Sequence, residues 1–382
     1  MKQKFIDTAV TVVSMVIMFA AGYYTNHLIN PPELDMPVLS QAREVMENHA
    51  WYPVPPIKEQ EYGMIAGLVA SYDDPYASFI EPYQHELYTD TFQGSFGGIG
   101  SEVTKNQAGE ILLYPFPDSP ANEAGIEDGD RLVSVEGTEI TEEDSLDSVV
   151  SMLRGPVGQK VSLSVYRPSQ ETTLDFKIKR QEFALPSVTW RILEEDAEVG
   201  LIRVNLIADT TPDEIQQAVE DLSSSNASKF ILDLRGNGGG LLEAGVEIAR
   251  LFLEKGTIIE QQYAGSDLES YKAKQTGDLA EIPLVVLIDH STASASEIIA
   301  GALQQQDRAI LIGTPSFGKN EIQYVFKLQD DSSIHVTAGK WWLPGEESIE
   351  DFFLSPDIVI SPENYSDSEH FLKAIEYFSS ID

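Results

Sequence analysis

Two short stretches hold residue types that bond-breaking chemistry needs. In "GTPSFGKNEIQ", Gly313 to Gln323, a lysine follows a glycine turn, and in "HSTASASEIIAG" Ser294, Ala295 and Ser296 stand where an apolar run gives way to helix spacing. Lys319 admits two chemistries. As the end of G-x-x-x-x-G-K it would cradle phosphates, which requires Ser or Thr directly after the lysine to hold magnesium and a helix beginning there. The chain instead has Asn320, then Ile322, Tyr324, Phe326 and Leu328 in strand alternation, with Pro315 stiffening the supposed loop. The nucleotide reading fails in residue and in context. As an uncharged amine, the same lysine would take a proton from a serine hydroxyl, a weak nucleophile until a base does so. Ser294 is one candidate and Ser296 another, because a strand-to-helix junction presents a hydroxyl next to free backbone amides; Ser294 has a second reading. Its competing role is an N-cap, with Glu297 three residues on completing a capping box. The residues by themselves leave both roles open.

A lysine base must lose its charge near neutrality. From a reference pKa of about 10.4, burial has to supply about 1.4 kcal/mol for each unit of depression, and about three units make the free amine substantial near pH 7 to 8. Phe317 and Gly318 beside it suit a dry pocket. Gln323 lies four residues on; if a strand leads away from Lys319, even spacing puts both side chains on one face, where an amide oxygen accepts a lysine N–H and aims the lone pair. A third stretch, "GNGGG" after Arg235, offers backbone amides at a strand-to-helix junction, where they stabilise phosphate or oxyanion alike. It lacks G-x-G-x-x-G spacing, which disfavours a dinucleotide fold, and it could equally serve close packing of strand on helix.

These residues need a scaffold that presents junctions, and the second half of the chain reads as one. "VGLIRVNL", "KFILDLR", "LVVLID" and "RAILIG" are strands, separated by the helices "TPDEIQQAVEDLSS", "LLEAGVEIARLFLEKG" and "SASEIIAGALQQQ", an α/β alternation. "EIQYVFKLQD" and "SIHVTAGKWWLP" add alternating strands. From about Phe92 to Arg180 the texture is that of a small β-rich module with one helix, "DSLDSVVSMLRG", and a terminal hairpin, "KVSLSVYR" and "TLDFKIKR". This layout resembles a PDZ domain of the bacterial protease-associated kind. Such modules hold a peptide's C-terminal carboxylate on glycine-loop amides while the peptide adds a strand to the sheet edge. The loop would be Gly97, Gly98, Ile99 and Gly100. Upstream, "PVLSQAREVMENHAWY" and "EQEYGMIAGLVASY" have helix spacing and are parted by Pro53, Pro55 and Pro56.

Bulk properties remove other classes. With 25 Lys+Arg against 62 Asp+Glu, a formal charge of -37, the chain repels nucleic-acid phosphates. With no cysteine, thiolate nucleophiles and disulfides are excluded. Lys2 and Lys4 precede a run from Thr8 to Pro32 without Asp, Glu, Lys or Arg, long enough to cross a bilayer and followed by acidic residues. The expectation is a retained anchor with the body exported; Ala20-Ala21-Gly22 offers the alternative of signal-peptide cleavage.

"STASASEIIAGAL", "GTPSFGKNEIQ", "LDLRGNGGGLLEAG" and "LRGPVGQ", occurring together, resemble the C-terminal processing peptidases, serine proteases of the S41 class, over residues 36–361. The resemblance implies an α+β multidomain chain: a signal anchor or signal peptide at 1–32, an N-terminal helical region at 33–91, a PDZ domain at 92–182 and an α/β protease core of the ClpP/crotonase-like kind at 183–382. It also implies roles: Ser294 nucleophile, Lys319 base, Gln323 orienting amide, oxyanion donors at the backbone of Gly239 or Gly240 and of Ala295, and Arg154 as the arginine by which the PDZ module of some relatives senses a bound substrate. No cofactor is implied. Partners would be proteins with exposed C-terminal tails, with homo-oligomers as an option, and the location would be extracytoplasmic at the membrane. The chain departs from the family pattern at Asn320, where glycine is usual, and in "LPGEESI", where Leu343 and Glu347 replace threonine and arginine. The alternative from another class is a catalytically silent PDZ adaptor. His290 and His335 are set aside as bases.

Overall fold

The computed structural model describes residues 36–106, 108–273, 275–345, 353–361 and 366–381. The expected anchor at 1–32 lies outside them, as does Glu347. No helix among the described residues is long and apolar enough to cross a membrane.

Residues up to Met64 form one compact unit and Ile65–Asp382 another. In the first, α1 (Pro37–His49) starts on a proline, whose missing N–H is no loss in a first turn. Its apolar positions Val38, Val45 and Met46 are exposed. Helix α2 spans Ile57–Ala70.

The second unit opens with a short strand, β1 (Ser78–Ile80), inside the stretch expected to be helical, followed by α3 (Pro82–Gln93). A β-rich module follows: β2 (Ser95–Gly98), β3 (Ser101–Lys105), β4 (Ile111–Pro115), α4 (Pro120–Ala124), β5 (Asp130–Val135), β6 (Thr138–Glu139), α5 (Leu146–Leu153), β7 (Lys160–Arg167), β8 (Thr172–Lys179) and β9 (Gln181–Ala184). Strands run β3-β4-β5-β7-β8, with β6 on β5, while β2 and β9 form a separate antiparallel ribbon. Alternate residues of β7, Val161, Leu163 and Val165, meet Val149 and Leu153 of α5 in a closed core, as period-two and helical spacing demand. Strand β3 ends that sheet.

The remaining chain builds a layered core: β10 (Val188–Ile192), β11 (Val199–Val204), α6 (Thr211–Ser224), β12 (Lys229–Asp233), α7 (Leu242–Phe252), β13 (Gly256–Tyr263), β14 (Glu269–Ala273), β15 (Leu284–Ile288), α8 (Ala295–Gln305), β16 (Ile310–Gly313), β17 (Glu321–Lys327), β18 (Ser333–Trp342), β19 (Ile358–Val359) and α9 (Asp367–Ile381). Its main sheet has the order β10-β11-β12-β15-β16-β19, parallel except for β10. Apolar residues on both faces are the mark of a sheet covered twice. One face, with Ile202, Leu232, Val286 and Ile288, packs on α6, α7 and α8. The other, with Leu201, Ile231, Val285 and Leu287, packs on Phe371, Ala374 and Phe378 of α9. A second, antiparallel sheet joins β1, β18, β13 and β14, with β17 on β18. The carboxyl ends of β12 and β15 therefore lie side by side, and both functional loops leave from there.

Candidate active site

Strand β15 is buried along its length and leads through Asp289–Ala293 into α8, whose N-cap is Ser294. That residue has φ 55° and ψ -121°, a positive-φ conformation outside the left-handed helical basin and rare for a residue with a Cβ. Non-glycine residues held there carry on the order of 1–3 kcal/mol of strain and persist only where their surroundings over-determine them. The surroundings do so. Asp289 Oδ1 accepts from the N–H of Gly236 at 3.0 Å and of Ser291 at 2.9 Å; Thr292 donates its hydroxyl to Leu234 C=O at 3.0 Å. Ala293 N–H reaches Asn237 C=O at 3.1 Å. The bonds to Gly236, Leu234 and Asn237 sew the turn after β15 to the segment after β12, while the Ser291 bond closes the turn on itself.

Glu297, fully buried, ties this turn to the lysine segment. One carboxylate oxygen accepts from Ser316 Oγ at 2.6 Å and Gly318 N–H at 2.7 Å, the other from Lys319 N–H at 2.9 Å and Ser294 N–H at 2.8 Å. Burial pushes its acidity upward in pKa, against the pull of these donors. The expected capping box is thus half of a larger junction: the residue that caps α8 also fixes the backbone of Lys319.

Lys319 is half-buried, and burial lowers its pKa, with Glu321 and Asp74 acting in the opposite sense. Its Nζ donates to Gln323 Oε1 at 3.0 Å, and Gln323 Nε2 donates to the backbone carbonyl of Tyr76 at 2.7 Å. Gln323 sits at a register shift in the β17–β18 pairing, between Ile322 and itself. Asn320, at the family's usual glycine, has C=O bonded to Trp341 N–H at 2.9 Å and is absent from the residues with positive φ.

The glycine loop approaches the nucleophile from the other side. At φ +103°, a Cβ on Gly239 would stand 2.9 Å from Ser294 Cβ and 3.1 Å from Ala295 N, so a side chain there is excluded twice over. Gly239 and Ala295 amides are thereby neighbours at the start of α8, although Gly239 N–H donates to Asn237 Oδ1 at 2.8 Å in this conformation. Gly240 lies against Ile207, whose C=O accepts from Leu241 N–H at 2.9 Å, and a Cβ on it would strike that carbonyl.

The β-rich module holds the other candidates. Ile99 C=O accepts from Ala121 N–H at 2.8 Å, Gly100 C=O from Phe116 N–H at 2.9 Å, and Gly97 C=O from Gly155 N–H at 3.1 Å. Gly98 pairs with Gln181 in the β2–β9 ribbon. Arg154 caps α5, its guanidinium 4.0 Å from the Phe96 ring centroid and 3.5 Å from Asp90 of α3. His335 is buried with its ring 4.9 Å from that of Tyr88, and His290 is exposed. Leu343 is buried against Gly301 of α8, an apolar use of the position where threonine is usual. No cluster of His, Asp or Glu suited to a metal occurs among the described residues. Tyr76, Asp74, Asn237 and Asp289 have no local signature in the sequence, whereas Glu297, three after Ser294, has one.

The chain is similar to known proteins along most of its length. The model of "Peptidase family S41" matches residues 198–360, which include Ser294, Lys319 and Gln323, and a "PDZ domain" model matches 115–167, which includes Arg154 but not Gly97–Gly100. A carboxyl-terminal-processing protease of Picosynechococcus is 37% identical over 309 residues, 80% of this chain and 74% of that one. One from Synechocystis is 35% identical over 331 residues, 85% and 77% of the two chains. The carboxy-terminal processing protease CtpA of Bacillus subtilis is 32% identical over 305 residues, 80% of this chain and 64% of its own. The solved structure of a photosystem II D1 C-terminal processing protease aligns with 87% of this chain and 89% of its own, at 30% identity and a TM-score of 0.48.

Proposed function

The chain belongs to peptidase family S41, among the carboxyl-terminal processing proteases, and from that premise we propose that it cleaves protein tails with Ser294 as nucleophile, Lys319 as base and Gln323 as the amide that aims the base. The observation that carries this is the strained backbone of Ser294 at a strand–turn–helix junction. An N-cap needs ordinary extended angles, which Ser145 and Ser119 have at the starts of α5 and α4, so capping alone gives no reason for positive φ at Ser294. Positive φ throws the hydroxyl outward beside the amides of the helix start, where a nucleophile has to be.

The steps follow from the groups in place. The Lys319 amine, whose charge burial disfavours, takes the Ser294 proton in its neutral form as Oγ attacks the scissile carbonyl, once Nζ and Oγ are within about 3.2 Å. Negative charge on the carbonyl oxygen is met by backbone N–H of Ala295 and of the Gly239–Gly240 loop; for Gly239 this entails release of Asn237. The lysine proton passes to the leaving amine, and water then hydrolyses the acyl-enzyme by the same base. Tail capture is proposed at the free edge of β3 beside α5, with the substrate carboxylate on the Gly97–Gly100 loop, and membrane attachment at residues 1–32 rests on their apolar run. Alkaline carbonate extraction of membranes tests the latter: release of the chain would end it.

Purified chain and an unfolded protein with a free apolar C-terminus decide between protease and silent adaptor. Ser294→Ala and Lys319→Ala are expected to abolish cleavage, by at least about a thousandfold, while tail binding persists. Undiminished cleavage in both would refute the assignment.

A further inference from the structure

We propose that Tyr76, far from Lys319 in sequence, is a positioning residue for the Lys319–Gln323 pair: its carbonyl decides which end of the Gln323 amide meets the amine, and its ring closes the amine's pocket to water. This rests on the Ser294–Lys319 reading and adds to it.

The ends of a glutamine amide are alike in size and opposite in chemistry. If Nε2 faced the lysine, it would donate into the lone pair that has to receive the serine proton. The Tyr76 carbonyl, which only accepts, engages Nε2 at 2.7 Å, so Oε1 is left for Nζ at 3.0 Å and the lone pair stays free. The Tyr76 ring covers the amine, its centroid 4.6 Å from Nζ. The two effects of that ring oppose one another: excluding water disfavours the ammonium, while a π face attracts it. Burial, the largest influence on Lys319, disfavours the ammonium, and the ring contributes to that burial.

The segment is held for this. Asp74 accepts from Thr337 N–H and Oγ1, each at 3.0 Å, and from Tyr76 N–H at 3.0 Å. Two residues past Tyr76, β1 pairs with β18 in the register Ser78↔His335, Phe79↔Ile334, Ile80↔Ser333. The charged groups facing the amine are Glu321 of β17 and Asp74 of this segment, with Glu297 of α8 bonded to the lysine backbone. Asp74, Tyr76 and Ser78–Ile80 all lie outside the 198–360 stretch that matches the protease family.

The test is the pH profile of kcat/KM on an internally quenched peptide with an apolar free carboxylate, for the full chain and for variants verified folded by thermal melting. Activity requires neutral Lys319, so it rises with pH and levels off. Tyr76→Ala is expected to move the midpoint of that rise upward by about one pH unit, because water reaches the amine. Tyr76→Phe, which keeps ring and carbonyl, leaves it in place. Should Tyr76→Ala not fold, Tyr76→Leu decides: with bulk kept and the π face lost, the midpoint moves down by about half a unit. Midpoints unmoved in Tyr76→Ala, or in Tyr76→Leu where that variant decides, overturn the proposal, including when the rate falls equally at every pH. Lys319→Ala is measured alongside: activity surviving in it withdraws the base assignment itself, whereas its loss with unmoved midpoints withdraws only the role of Tyr76.

Discussion

The turn at Ser294 and the edge of the β-rich module at β3 are built in opposite ways. At the turn, a buried carboxylate, Glu297, gathers donors from two segments, and the glycine loop leaves no room even for a methyl group beside Ser294. At the edge, the candidate contacts are dispersed: a loop at 97–100, a cap at Arg154, and an Asp90–Phe96 setting on α3 and β2. Chemistry needs sub-ångström placement of reacting groups, whereas holding an extended peptide by its backbone tolerates looser fit. Substitutions in the first region should therefore strike turnover, and in the second, affinity.

After the nucleophile and base themselves, the largest effect is expected from Glu297→Ala, which leaves the N–H of Ser294, Gly318 and Lys319 and the Ser316 hydroxyl without their acceptor. A fall in kcat of a hundredfold or more is expected, by about 10² for an ångström of misplacement, with a lowered Tm from orphaned donors at about 1–3 kcal/mol each. Steady-state kinetics with calorimetry checks it; wild-type kcat would break the contrast. Gly239→Ala follows, since its methyl meets Ser294 Cβ and its φ of +103° disfavours any side chain: about tenfold to a hundredfold in kcat, with KM little changed. Next is acidity. Lys319 has its pKa lowered by burial, and the proposed base acts only when neutral, so below that pKa the rate is expected to fall about tenfold per pH unit and above it to be flat. Stopped assays across pH 5 to 9 read this, and a flat profile with the fold intact counts against the lysine. Smallest is Arg154→Ala, expected to raise KM for tailed substrates about threefold to tenfold while kcat on short peptides without the tail is unchanged, given about 1 kcal/mol for a partly exposed cation over an aromatic ring. A kcat effect on the short peptides would show the two regions to be coupled.

Much of this was legible in the residues. The runs "KFILDLR" and "LVVLID" could only be strands buried on both faces, and the small residues after them could only be junction loops. Lys319 and Gln323 do hydrogen-bond, but not by the regular strand alternation expected of their even spacing: Lys319 precedes β17, and a register shift separates Ile322 from Gln323. Glu297 was visible as a capping partner because helix starts are local. Other parts had no local signature. β1 pairs with β18 across more of the chain than any short motif covers, and "SFI" is too short to show a period. The stripe of α1 met expectation as a helix, but spacing alone does not say what its apolar residues face.

The sequence by itself determined the kinds of group available, the strands and helices that carry them, and the absence of any thiol chemistry, because side-chain type and hydrophobic period are properties of near neighbours along the chain. Only the tertiary structure decided that Ser294 would sit at positive φ, that one carboxylate would join it to Lys319, and that a carbonyl at Tyr76 would choose the face of Gln323. Those are meetings between segments distant in sequence, and the free energy that selects them belongs to the packed whole.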